Sequence, residues 1–331
     1  MGTERLEPGM TRLPLPIPLP IPNLLRRRPN PEYDITDDLD WDAINLRGAE
    51  NLRLKSIEEK RALVDQEMNG LLYRYLPRRR AISLDDYDWG QLQPDKVDPI
   101  LRKSTWFVNS VESNPQDPGM NIYMASITSN VTWLGRFEEK WEEEEVMHGK
   151  IFREWFVRSN LVSQQEIDEQ IQTVQLRGFL IGESFNELEV ASYGWPQETA
   201  GMYFYQSMIN YAKRSKNGYD PVLVKIITDV MSQENFHRYI YFMGMKATLK
   251  YFPERFGKDV VHTLANFQMP GHFMCPDLQA EAPQLAKEMG LPVDKLMREL
   301  ERGIIEVAGK KGRNQLALAL GAKKVRDFLH I

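Results

Sequence analysis

Apolar residues recur along this chain at steps of three and four over long stretches, the period of helices that bury one face. Over residues 49–76 the series Leu52, Leu54, Ile57, Leu63, Val64, Met68, Leu71, Leu72 and Tyr75 predicts a helix that Pro77 closes. A second helix is predicted over 98–114, with Pro115 and Pro118-Gly119 interrupting the pattern beyond it. The third, over 122–160, has the inward stripe Leu134, Phe137, Trp141, Glu145, His148, Phe152 and Trp155. A shorter helix begins near Ser163, a candidate N-cap with Glu166 three residues on. Trp195-Pro196 predicts the opening of a helix over 197–215, and Lys216-Asn217-Gly218 reads as a turn. The helix predicted over 220–250 carries Ile226, Val230, Glu234, His237, Tyr241 and Met245 on one side. Smaller helices are predicted over 254–267, 278–289 and 293–308. No strand alternation and no repeat of solenoid spacing is present, so the fold class is all-α.

Polar residues break two of the apolar stripes in the same way. Glu145-Val146-Met147-His148 and Glu234-Asn235-Phe236-His237 are both Glu-x-x-His, and positions i and i+3 share a helix face. Only five His occur in the chain, and two of them fall in this pattern. Two such pairs on facing helices, plus one Glu from each of two further helices, form the ligand set of a carboxylate-bridged di-iron or di-manganese four-helix bundle. Glu112 and Glu198 are the candidates for the missing pair. Carboxylate oxygen and imidazole nitrogen suit iron, and bridging carboxylates hold two metals side by side. Glu145 also belongs to a run of four acidic residues, Glu142 to Glu145, and such a run ordinarily marks a solvated face.

Composition narrows the class without changing it. The chain has 331 residues, 42% of them hydrophobic and 27% charged, ordinary for a globular protein. One cysteine, Cys275, excludes an intrachain disulfide and a thiolate zinc cluster. A net charge of −5 argues against general nucleic-acid binding. No apolar run reaches the ~18–20 residues of a membrane span. Residues 13–22 are apolar, but alternate prolines break any leader helix, and a cytoplasmic location is expected. The organisation expected is a Pro-rich, disordered tail over 1–32, a helical domain over 33–309 and a basic C-terminal segment over 310–331.

Several ordered motifs carry a family resemblance. Trp141 to Gly149, WEEEEVMHG, is similar to the Trp-x-x-Glu-Glu-x-x-His-Gly box of the soluble acyl-carrier-protein desaturases, the plant stearoyl-type enzymes and their actinobacterial relatives. Gln233 to His237 is similar to that family's Asp-Glu-x-x-His box, and Gln197-Glu198 in GWPQETAG resembles its Gln-Glu-Arg-Ala-Thr stretch. Phe267 to Met274, FQMPGHFM, and the acidic turn DDYDWGQLQPD resemble segments after and before the bundle. The resemblance spans residues 50–278. It implies a ferritin-like four-helix bundle core with flanking helices and a homodimer. Each chain would bind two Fe through Glu112, Glu145, His148, Glu198, Glu234 and His237. It further implies electrons from a ferredoxin-type donor and removal of two hydrogens from an acyl chain on acyl carrier protein.

Three positions depart from the family pattern. Gln233 replaces the Asp that precedes the second ligand Glu, Gly201 replaces a Thr three residues after Glu198, and Val146-Met147 replaces an Asn-Arg pair. Thr199 lies near but on another helix face. With Gly201 and Gln233, it is one of three candidate positions that tune oxygen chemistry. These departures leave hydroxylation or another oxidation of a carrier-bound acyl or amino-acyl group open. A ferritin-like iron-binding protein is the alternative from a different class, and the aromatic, Met-rich helices argue against it. For docking of an acidic carrier, Arg78-Arg79-Arg80 and the C-terminal Lys310, Lys311, Lys323 and Lys324 are the basic candidates.

Overall fold

The computed structural model describes residues 56–113, 132–177, 186–267, 269 and 275–327, and among these no residue is in a strand. The helices are α1 (Ile57–Tyr75), α2 (Pro99–Glu112), α3 (Trp133–Ser159), α4 (Gln164–Arg177), α5 (Glu187–Arg214), α6 (Pro221–Tyr251), α7 (His262–Ala265), α8 (Pro276–Met289) and α9 (Val293–Asp327). A π-helical turn, Phe256–Val261, leads into α7, and short 3₁₀ turns join α1 to α2. The Pro-rich segment 1–32, the prolines at 115 and 118, and His272 and His330 lie outside the described residues.

Side-chain caps start these helices where the sequence allows. Ser56 and Glu59 form a capping box before α1, Asp98 accepts from the Ile100 amide, and Asp220 accepts from the Val222 and Leu223 amides. Asp220 does more than cap: its second oxygen accepts from Trp155 Nε1 and from the Gln93 amide, each at 3.2 Å. One carboxylate thereby ties the start of α6 to α3 and to the segment before α2.

Four boundaries differ from the sequence reading; the first is α1, which starts at Ile57 after the Ser56 cap and not at residue 49, residues 49–55 lying outside the described ones. Helix α3 starts at Trp133, not near residue 122, because the Thr132 hydroxyl accepts from the Gly135 amide and sets the first turn. Helix α5 starts at Glu187, ten residues before the expected opening. Asn186 and Glu189 form a reciprocal capping box there, and Pro196 sits inside the helix, leaving only the Ser192 carbonyl without its usual donor. Helix α9 runs to Asp327, beyond the expected end at 308, and Gly309 takes φ 68° within it, a left-handed conformation natural to glycine.

Helices α2, α3, α5 and α6 form the ferritin-like four-helix core. Glu138 of α3 meets Tyr241 of α6, and Glu145 and Glu234 converge on the same histidines. Since Glu138 precedes Glu145 by seven residues and Tyr241 follows Glu234 by seven, α3 and α6 run antiparallel. Apolar side chains form two clusters, one around Trp133, Phe137, Leu188 and Met245, the other around Phe152, Trp155, Met208 and Val230. Along α3 and α6 the polar layer of Glu145, His148, Glu234 and His237 falls between them. Helix α1 packs on α3 and α6, α4 on α2, α8 on α2 and α5, and α9 on α5 and α6. Ion pairs Arg238–Glu299 and Lys246–Glu306 pin α9 to α6. No helix among the described residues is long and apolar enough to cross a membrane.

Two glycines let aromatic rings reach the backbone in the upper cluster. A Cβ on Gly244 would lie 2.2 Å from the Trp133 ring, and one on Gly194 would lie 2.6 Å from the Tyr241 ring. Gly244→Ala should therefore destabilise the fold by about 1–3 kcal/mol through overpacking. At Gly201, where an added Cβ meets nothing within 4 Å, alanine should stabilise the helix by about 0.5–1 kcal/mol. Chemical unfolding of the two variants should give shifts of opposite sign, and a neutral Gly244→Ala would refute the packing assigned to Trp133.

Candidate metal centre

The bundle brings six of the predicted residues into one layer. His148 Nδ1 lies 3.3 Å from Glu112 Oε2, 3.5 Å from Glu145 Oε2 and 3.4 Å from Glu234 Oε1. His237 Nδ1 lies 3.1 Å from Glu145 Oε1 and 3.1 Å from Glu234 Oε2. Glu198 hydrogen-bonds with Glu234 on the His237 side. Two donor groups result: Glu112, Glu145, His148 and Glu234, and Glu145, Glu198, Glu234 and His237, the atoms of each within 4.8 Å of one another. Glu145 and Glu234 belong to both. Each offers one oxygen to either histidine, which is how a bridging carboxylate is placed, while Glu112 and Glu198 each serve a single group.

The donor set fits a pair of metal ions. Glu112 Oε2, Glu145 Oε1 and His148 Nδ1 are buried without a hydrogen-bond partner, and all three face the layer. Oxygen-rich sites with one imidazole each suit iron or manganese, not a thiolate-loving ion.

The far sides of the histidine rings fix which nitrogen faces inward. His148 Nε2 donates to Gln233 Oε1 at 2.7 Å, and Gln233 Nε2 donates to the Arg80 carbonyl at 3.3 Å. His237 Nε2 donates to Glu144 Oε2 at 2.8 Å, and Arg79 grips the same carboxylate through Nε at 3.1 Å and Nη2 at 2.7 Å. With each Nε2 carrying the proton, each Nδ1 lone pair is aimed at the layer. Arg79 also stacks on Phe236, its guanidinium 4.0 Å from the ring centre.

Glu144 contradicts the solvated reading of the acidic run: it is 3% exposed. The pattern that would have found it is a symmetry. The residue before each ligand Glu, Glu144 on α3 and Gln233 on α6, reaches the histidine of the other helix. Tyr205 donates to Glu112 Oε1 and Tyr241 donates to Glu138 Oε1 at 3.0 Å, roles that helical spacing alone does not assign. Thr199 is fully buried and its hydroxyl donates to the Trp195 carbonyl at 2.6 Å, so it is engaged with its own helix. Gly201 follows Glu198 by one turn with free space around its Cα. Of the basic run, Arg79 is drawn in against Glu144 with its side chain 11% exposed, while Arg80 stays 75% exposed beside Asp86.

Without metal, protons keep this layer neutral. Burial, reinforced by the Glu145 charge, raises Glu112 to about 8, and burial with Glu234 raises Glu198 well above the carboxylate range. Burial opposes a charge on either ring, yet the surrounding carboxylates override it. His237 rises to about 10 and His148 well above its usual value. Burial pushes upward on Glu145 and Glu234 as well, but the two imidazolium groups hold both below the ordinary range. At pH 7 two carboxylates then balance two imidazolium ions. Two divalent metals would replace the four protons on Glu112, Glu198, His148 and His237 with no change in net charge.

This exchange has a measurable sign. All four groups bind protons more tightly folded than unfolded, so the unfolded chain loses them first as pH rises. The metal-free protein should lose stability from about pH 6 to about pH 8, as His groups and Glu112 pass from their ordinary values toward the raised ones. Uptake of two divalent metals at pH 7 should release about four protons per chain. Thermal melts at the two pH values and titration in weak buffer check both, and a metal-free melt that rises over this window would contradict the assignment. Separately, Arg79→Gln should cost about 3–5 kcal/mol by leaving buried Glu144 unpaired. Adding Glu144→Gln should recover part of that loss in urea unfolding.

Comparison with known proteins agrees with this geometry. None of the curated proteins compared matches the chain. The sequence profile of the fatty acid desaturase family, type 2, matches residues 120–291, just over half the chain, and includes Glu145, His148, Glu198, Glu234 and His237. Glu112 lies before the matched region, and its place in the layer is given by the structure alone. With an all-α core that gathers these carboxylates and histidines into one buried layer, the chain belongs to the type 2 fatty acid desaturase family.

Proposed function

We propose that the chain is an O2-dependent di-iron desaturase acting on an acyl chain tethered to acyl carrier protein. The observation that carries this reading is the pair of overlapping donor groups sharing Glu145 and Glu234. Glu112 and His148 would complete one iron site, and Glu198 and His237 the other. Iron bound there supplies the oxygen activation needed to attack unactivated C–H bonds. Converting a saturated pair of carbons to a double bond while O2 becomes two waters takes two further electrons and two protons. A ferredoxin-type donor is the partner proposed for the electrons, and the assembly proposed is a homodimer.

The chain's own residues perform the remaining tasks. Gln233 and Glu144 orient the rings, and the Trp133–Phe137 and Phe152–Trp155 clusters keep water from the layer on both sides. The Tyr205 hydroxyl holds Glu112 at Oε1 and leaves Oε2 facing inward. A related oxygenase or hydroxylase is the second reading. It is favoured by the neutral amide of Gln233 behind His148 and by the absence of a hydroxyl at Gly201, both departures from the family pattern. An acidic carrier would need a local basic surface; with Arg79 committed to Glu144, Arg78, the exposed Arg80 and the C-terminal lysines are its candidates.

Metal analysis and turnover test the proposal together. Protein loaded with ferrous iron should hold about two irons per chain, and His148→Ala and His237→Ala should each lose most of them. Stearoyl- or palmitoyl-carrier protein with ferredoxin and O2 should yield the unsaturated product. Gln233→Asp with Gly201→Thr should raise its yield relative to peroxide release. Full iron content in either His variant would remove that residue from the site, and hydroxylated product alone would favour the second reading.

A further inference from the structure

One buried acid in the bundle has no task in the metal layer. Glu138 is 5% exposed and stands on α3 next to Phe137 and one turn after Leu134, both members of the Trp133–Phe137 apolar cluster. Its Oε1 accepts from Tyr241, while its Oε2 is buried without a partner. Among the described residues it is the one carboxyl outside the ligand set with such an orphan oxygen. Burial raises its pKa to about 8, against the pull of the Tyr241 hydrogen bond and the His237 charge, which favours the carboxylic acid with a proton to donate. Three residues on, and so on the same face of α3, Trp141 carries an indole N–H that is also buried and unmet. Each orphan group costs about 1–3 kcal/mol, and a polar occupant reaching this helix face would relieve both.

We propose that Glu138 and Trp141, with Tyr241 behind them, form a recognition site for an oxygen function on the acyl chain, a hydroxyl or carbonyl away from the carbons being oxidised. Two donors one turn apart on one helix face call for the same kind of partner: an oxygen with lone pairs. A methylene chain offers none. The spacing gives the placement, since Glu138 stands seven residues before Glu145, about 10 Å along the bundle from the ligand layer. The close approach of Tyr241 to the Gly194 backbone fixes the phenol that orients the acid. This inference rests on the reading that the bundle interior receives an acyl chain.

Binding of free fatty acids tests it without carrier, donor or turnover. Fluorescence or calorimetric titration of the iron-loaded full chain would compare stearate with mid-chain hydroxystearate and ketostearate. The oxygenated acids are expected to bind about tenfold more tightly, the value of one well-placed hydrogen bond. Glu138→Leu should bring that ratio to about one, Glu138→Gln, which keeps a donor and the Tyr241 bond, should retain most of it, and Trp141→Phe should reduce it. If Glu138→Leu does not fold, Trp141→Phe and Glu138→Gln carry the comparison. Equal binding of plain and oxygenated acids, binding of neither, or a ratio unchanged by both Glu138→Leu and Trp141→Phe overturns the site. A ratio that survives Glu138→Leu while turnover falls with a changed pH profile would instead make Glu138 a proton donor, and overturns it too. If the ratio behaves as expected but carrier-linked chains are not oxidised, the failure lies with the functional reading, not with this site.

Discussion

Four carboxylates forced into one dry layer are the constraint on which this structure depends. Glu112, Glu145, Glu198 and Glu234 come from four different helices, and each is less than a tenth exposed. Four negative charges this close, away from water, would drive the helices apart. The layer is stable only when positive charge enters in the same measure, as two imidazolium ions with two protonated carboxyls or as two dications. The rest of the bundle serves to hold that layer in register. Apolar clusters above and below exclude water. Caps at Asp98, Thr132, Asn186 and Asp220 fix where each long helix starts, and hence which turn faces the centre.

The histidines are braced crosswise. Glu144 on α3 holds His237 of α6, and Gln233 on α6 holds His148 of α3. Both braces end on consecutive residues of one short segment, Arg79 through its side chain and Arg80 through its carbonyl. The braces differ in chemistry, one an ion pair and the other a chain of neutral dipoles. Arg79 neutralises Glu144, so neither histidine feels an uncompensated charge from behind. In that light Gln233 is not simply a lost carboxylate. It is the neutral counterpart of an ion pair that is itself neutral overall.

The sequence made the core stripes and the two Glu-x-x-His pairs legible because helical period and ligand spacing coincide: a residue on the apolar face of a helix cannot be a solvated charge. Glu112 and Glu198 could be named as candidates, but their convergence required the fold, since nothing in local spacing links one helix to another. Glu144 was hidden inside a run of four glutamates, where composition predicts solvent and tertiary contact with Arg79 overrides it. Helix starts at Trp133 and Glu187 escape the sequence for different reasons. Apolar period continues past a boundary that a single capping side chain decides, and Pro196 signals an opening although α5 accommodates it inside. The arginine run is split by geometry: Arg80 stays exposed beside Asp86, while Arg79 turns inward to Glu144.

The two halves of the bundle are not equivalent, and the difference bears on what the interior can hold. On one side of the layer Tyr205 closes its hydroxyl onto Glu112, so that its polar atom is already committed to a ligand. On the other side Tyr241 closes onto Glu138, which is no ligand, and the acid's second oxygen stays open. Both tyrosines stand seven residues after a ligand glutamate of their own helix, Glu198 and Glu234, so the same helical step produces two different outcomes. The first stiffens the metal layer. The second builds a polar point into an apolar wall, where a protein selecting only for packing would have placed a methyl group. Gly201 adds a related asymmetry: the space beside it would admit a side chain, so the missing hydroxyl is not enforced by crowding. Polarity is thereby withdrawn from beside the ligand layer at Gly201 and placed a heptad away, in the apolar wall, at Glu138.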